Sequence, residues 1–154
     1  PSLMGGMKHE LPEYFASRPD LPIQSLQALI DFNKANPSVE GHGQAMLEAI
    51  NDMDMTHDQA RASLAAISEK FKGAIDEQLK KHNLDALVAE ADGYSQFAAA
   101  VAGYPAITVP SGMDDDGLPT SVFFFGKAWS EPQLFAMAYS YEQASAGLRH
   151  PAFK

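Results

Sequence analysis

"AVAGYPAITVPSG", residues 100–112, sets four backbone signals within thirteen positions. The alanine-rich "AAAVA" (98–102) that leads into it favours helix, and Gly103 is a natural helix stop. Pro105 then extends the chain. Ile107-Thr108-Val109 is a β-branched run suited to a strand, and Pro110-Ser111-Gly112 ends it. The stretch predicts a short helix that turns directly into a buried strand.

Working outward, "GMDDDGLP" (112–119) is a polar turn, and "SVFFFG" (121–126) is a further strand. The two strands around the turn suit an antiparallel hairpin with a long loop. Val122 to Phe125 are apolar without alternation, which belongs to a strand covered on both faces. Ser130-Glu131-Pro132-Gln133 has the Ser-x-x-Gln form of a helix cap. The helix it opens carries an apolar stripe of Leu134, Met137, Ala138, Tyr141 and Ala144, and Gly147 ends it. Upstream, "LDALVAE" (84–90) is the first strand candidate. Residues 84–154 thus read strand, helix, strand, strand, helix. Three strands give a sheet little interior, so the sheet looks larger than the chain. A compact three-stranded sheet flanked by four helices is the alternative.

Residues 1–83 read as mainly helical. Pro1, Pro12, Pro19, Pro22 and Gly5-Gly6 predict an irregular lead-in with one helical turn around Glu13 to Ala16. Helices follow over Ile23 to Ala35, ended by Asn36-Pro37, and over Gln44 to Ile50. Thr56-His57-Asp58-Gln59 is a capping box. Leu64, Ile67, Phe71, Ile75 and Leu79 beyond it form one helical face, which Lys80, Lys81 and His82 close. We expect 1–154 to be a single partial domain.

A chain of 154 residues with 45% hydrophobic residues can build one real core. Its 11 basic and 20 acidic residues give a net charge of −9, which opposes nucleic acid and anionic membrane surfaces. The absence of cysteine excludes disulfides and thiolate chemistry and fits a reducing compartment. No apolar run reaches the ~18 residues of a membrane span. A soluble, cytoplasmic chain is expected.

No complete catalytic constellation is present. His9, His42, His57, His82 and His150 show no zinc-helix spacing, and local roles suffice for them. Asp114-Asp115-Asp116-Gly117 lacks the spaced ligands of a calcium loop and reads as a solvated turn. Gly41-His42-Gly43 lacks the third glycine of a dinucleotide loop. Trp129, near Phe123 to Phe125, reads as packing. Neither a metal nor a cofactor is expected.

Taken together, "LDALVAE", "AAAVAGYPAITVPSG", "GLPTSVFFFGKAWSEPQLFAMAYSYEQAS" and "RHPAF" resemble the C-terminal end of an amidase signature family enzyme. The matching elements are Gly103, Pro105, Pro110, Gly112, Gly117-Leu118-Pro119, Phe125-Gly126 and Glu142-Gln143. "LPEYFASRPDLPIQSLQALIDFNKANP" and "GHGQAMLEAI" are similar more loosely. The resemblance covers about Pro12 to Lys154. It implies an α/β fold, the C-terminal part of a large mixed sheet covered by helices on both faces. It also implies hydrolysis of carboxamide C–N bonds, other than peptide bonds, by a serine nucleophile, a second serine in a cis peptide bond and a lysine base. Here no two serines are adjacent and no Gly-Gly-Ser-Ser stretch exists, so no residue carries over as catalytic. The loop after the first strand, Glu90 to Tyr94, departs from the family's longer Pro-Thr loop. Asp92 and Tyr94 are the candidate substrate-pocket residues. The expected partners are a small-molecule amide, only within a complete enzyme, and the missing N-terminal part or a second copy of the chain. A non-catalytic binding or structural domain derived from an amidase is the competing reading.

Overall fold

The computed structural model describes residues 2–37, 43–91 and 93–149. Along the chain run α1 (Ser2–Ala16), α2 (Leu26–Ala35), α3 (Ala45–Asp52), α4 (His57–Lys81), β1 (Leu87–Glu90), α5 (Ser95–Ala102), β2 (Ala106–Met113), β3 (Pro119–Phe125) and α6 (Glu131–Ser145). The class is α/β, with helices first and all three strands in the second half, as the sequence predicts. Two compact units result, Pro1–Ala65 and Ala66–Lys154, and α4 runs from the first into the second. Among the described residues, no helix is long and apolar enough to cross a membrane.

In the second unit the strand order is β1-β3-β2, and β3 pairs antiparallel with both neighbours. The non-alternating "SVFFF" run is therefore the central strand. Phe123 and Phe125 bury on one face with Ile75 and Leu79 of α4 and Ala99 and Ala102 of α5. Phe124 buries on the other with Val109 and with Leu134 and Ala138 of α6. Helices on both faces explain why consecutive phenylalanines are all apolar, and each contributes roughly 1.5–3 kcal/mol by burial. The aspartate run is the turn it was read as. Asp114 Oδ1 accepts from the N–H groups of Asp116 (3.0 Å) and Leu118 (2.8 Å), a side chain building the loop from within.

Three predictions here are corrected. First, the strand that starts at Ala106 does not stop at Pro110 but continues to Met113. The Gly126 N–H donates to the Pro105 carbonyl. Antiparallel alternation from that bond points Ile107 and Val109 toward β3 and Ala106, Thr108 and Pro110 away from it. The donor that proline lacks falls on the outer side, so the ladder loses nothing and only shifts register between Pro110 and Gly112. Second, Ser130 makes no side-chain cap. Its backbone (φ −98°, ψ 17°) is not the extended form a cap requires, and its hydroxyl donates back to the Lys127 carbonyl at 2.7 Å. Third, Trp129 does not pack. It is 88% exposed, and its left-handed backbone (φ 64°) carries it through the turn closed by Ser130 N–H on the Lys127 carbonyl.

In the first unit, Leu26, Ile30 and Ile50 bury together against Met4, Leu11 and Leu47. The irregular lead-in is overturned, since Ser2 to Ala16 form a helix with Pro12 inside it. What proline and glycine cost this helix in propensity is offset by contacts distant in sequence. The Lys8 ammonium donates to the carbonyls of Asn51 (2.9 Å) and Met53 (2.5 Å). His9 Nε2 bonds the Met55 carbonyl at 2.7 Å, and its ring stacks on His57 at 5.2 Å. Gly5 allows a close approach, for a Cβ there would lie 2.6 Å from Met55 Sδ and 3.0 Å from Ala60 Cβ. Ser25 caps α2 through the Ala28 N–H (3.0 Å). The capping box forms as read. The Thr56 N–H donates to Gln59 Oε1 (2.9 Å), and the Gln59 N–H donates to Thr56 Oγ1 (3.2 Å).

Candidate functional site

Of the two residues singled out for a pocket, Asp92 lies outside the described residues, as do Gly41, His42 and His150. Tyr94 stands at the start of α5, 95% exposed, with helical backbone and no side-chain cap. Its carbonyl accepts the Ala98 N–H at 3.2 Å, so the backbone is fixed while the ring is left open. It lines a concavity of about 830 Å³ with Gln96, Phe97, Ala99, Ala100, Tyr104, Ala106 and Phe123.

The opening stretch of sequence builds this concavity. Small side chains at Ala99 and Ala100 let it form beside Phe123. Gly103, at φ 68°, donates to the Ala100 carbonyl (3.1 Å) while the Tyr104 N–H donates to the Ala99 carbonyl (3.0 Å). This pair of bonds is a Schellman closure, and it aims Tyr104 back onto the core it terminates. Phe97 is steadied edge-on by Phe71 at 6.0 Å. The Tyr104 hydroxyl donates to Asp76 Oδ2 at 2.9 Å. Burial, with the Asp76 hydrogen bond and charge behind it, raises the phenol above its ordinary 10.0, so it stays a donor at neutral pH.

Chemically, the concavity offers apolar wall with a few polar tips, a surface suited to the hydrocarbon part of a ligand. The hydroxyls of Ser111, Ser130 and Ser140 bond Thr120 Oγ1, the Lys127 carbonyl and the Ala136 carbonyl, none of them a base. Lys72, beside a second groove formed with Ser68, Gly103, Trp129 and Glu131, is paired with Glu69 at 2.8 Å. Among the described residues, no cluster of three or more histidines and carboxylates is arranged to hold a metal. Sequence reading missed Gln96, Phe97, Tyr104 and Asp76. Tyr104 had a signal, being the one large side chain between a helix-stopping glycine and a strand-starting proline. Asp76 had none, because its partner is 28 positions away.

No protein-family model matches the chain. It is 28% identical to a probable amidase of Arabidopsis thaliana over 99% of its own length and 30% of that protein's. A 52-residue part, 33% of this chain, is 46% identical to 11% of a glutamyl-tRNA(Gln) amidotransferase component from Nostoc punctiforme. The crystal structure of native peptide amidase from Stenotrophomonas maltophilia superposes with a TM-score of 0.85 at 38% identity, covering 99% of this chain and 34% of the other. An amidase family protein from Bacillus anthracis gives 0.86 at 33% identity, covering 95% and 29%. The chain is thus similar in sequence and fold to members of the amidase family. It spans about a third of the length of these amidases.

Proposed function

We propose that this chain is the part of an amidase signature enzyme that completes its sheet and walls its substrate pocket, while the nucleophile and base lie on the remainder. The observation that carries this reading is the match to peptide amidase over 99% of this chain and only 34% of that enzyme, in a sequence with no adjacent serines. The whole enzyme would cleave a carboxamide. A serine oxygen attacks the carbonyl, with backbone N–H groups holding the oxyanion. A lysine and a bridging serine relay the proton to the nitrogen as the C–N bond breaks, and water then releases the acyl group. From this chain, Asp92 and Tyr94 would contribute to the substrate pocket, Tyr94 from the wall of the α5 concavity.

Two measurements test the proposal. An antibody against this chain, used on an extract of the cell that makes it, should detect a polypeptide about three times its length. That polypeptide, purified whole, should release ammonia from peptide carboxamides, and the 154-residue chain alone should release none. A band of the chain's own size would instead favour a non-catalytic domain of amidase ancestry. Ammonia release by the chain alone would overturn the division of labour.

A further inference from the structure

Two segments of the first unit bring together imidazole and thioether donors far in sequence from the α5 concavity. His9 comes from α1, and Met55 and His57 come from the residues that lead into α4. The Met55 carbonyl can only accept, so His9 Nε2 carries the proton of their 2.7 Å bond. In the neutral ring, Nδ1 is then left with the lone pair. A backbone carbonyl that holds one imidazole nitrogen, and so presents the other, is how proteins orient the histidine ligands of metals.

Gly5 makes the room. It lies one helical turn before His9 on the same face of α1, and a long side chain on a helix leans back over that preceding turn. Gly5 is buried, and a Cβ on it would stand 2.6 Å from Met55 Sδ. The Met55 thioether and the His9 ring therefore share the space over Gly5. His57 stands beside them, its ring 5.2 Å from that of His9 and 23° from parallel. Two imidazoles that share one cation through metal–nitrogen bonds of about 2 Å stand about 5–6 Å apart, centroid to centroid. The spacing is already that of a shared ion. Rotation of the His57 ring, which no hydrogen bond holds among the described residues, aims its nitrogen.

The donor set selects the ion. It offers two neutral nitrogens and a thioether, with neither carboxylate nor thiolate. Zinc takes thiolate, imidazole or carboxylate, and calcium and magnesium take oxygen. Thioether sulfur is a soft donor that selects copper(I), and imidazole suits copper as well. Lys8, the neighbouring ammonium, is drawn onto the Asn51 and Met53 carbonyls. Asp54 and Asp58 put negative charge on either side of the Met55 to His57 segment.

We propose that His9 Nδ1, Met55 Sδ and a ring nitrogen of His57 bind one copper(I) ion, which ties α1 to the head of α4. The site uses none of the residues assigned to the amide pocket and stands or falls apart from it.

The test is titration of the whole polypeptide with copper(I), kept reduced by ascorbate without oxygen, against bicinchoninate, a coloured copper(I) chelator. The protein should withdraw one equivalent from the dye with an affinity that Met55→Leu and His57→Gln each weaken about tenfold or more. Met55→Leu keeps the volume and removes the soft donor. Met7→Leu and His82→Gln should bind as the unaltered protein does. X-ray absorption at the copper edge should show one sulfur and two nitrogen neighbours, and amide exchange in α1 should slow when the ion is added. No equivalent withdrawn, an affinity indifferent to both ligand substitutions, or a copper centre without sulfur overturns the proposal. Zinc bound as tightly as copper(I) overturns the choice of ion and with it the role of Met55.

Discussion

The two units are held by different means. In Pro1–Ala65 the apolar cluster is small, and side chains reach across to backbone carbonyls, as Lys8 and His9 do from α1 and Gln44 does to Ile30. In Ala66–Lys154 the elements are joined by apolar clusters on two faces of one strand, and side-chain bonds between elements are few, Tyr104 to Asp76 and Ser111 to Thr120. Polar ties fix direction and register at modest net gain per bond. Burial contributes more per residue and fixes less.

Substitutions can break this contrast. Phe124→Ala should cost about 3–5 kcal/mol, as large-to-small changes in a packed core do, and urea unfolding with hydrogen exchange over β2 and α6 would measure it. A cost below about 1 kcal/mol, the range of a surface change, would mean the clusters do not hold the sheet unit. Lys8→Met keeps the apolar stem and deletes both charge-assisted bonds, so it should cost about 2 kcal/mol, read as lost amide protection in α1. An unchanged protection pattern would show the ties to be incidental. Thr56→Ala removes one half of the capping box, with an expected cost of about 1 kcal/mol and faster exchange at the Gln59 amide.

The smallest effect sharpens the contrast at the unit's own polar tie. The fold raises the Tyr104 phenol above 10.0, so the folded state holds this proton more tightly than the unfolded chain. Its stabilisation is complete below about pH 10 and is lost as pH climbs through the folded value. Tyr104→Phe deletes the Asp76 hydrogen bond, so it should lower neutral stability slightly and flatten the alkaline fall in the unfolding midpoint. An unaltered alkaline slope would show that Tyr104 does not contribute to it.

Where burial governs, the sequence was readable. "SVFFFG" announced a strand covered on both faces, and "AGYP" announced a closed helix followed by an extended chain, because each signal sits in the residues that obey it. Where distant bonds govern, it was not. Pro12 and Gly5-Gly6 argue locally against a helix, and nothing near them in sequence reveals that Met55, Asn51 and Met53 will receive α1. The site divides the same way. The loop singles out Tyr94 as a candidate, whereas the concavity beside it depends on alanines 99 and 100, whose importance is the space they leave. Trp129 was misread because proximity to three phenylalanines in sequence says nothing about a backbone that turns left-handed.

That turn gives the protein a built-in optical label. Trp129 is the one tryptophan in the chain, and its indole meets solvent. Its fluorescence therefore reports on a single short turn, undiluted by any other indole. Whatever comes to rest on residues 127–131 will shift that emission to the blue, and a plain titration, with no dye attached, will give its affinity.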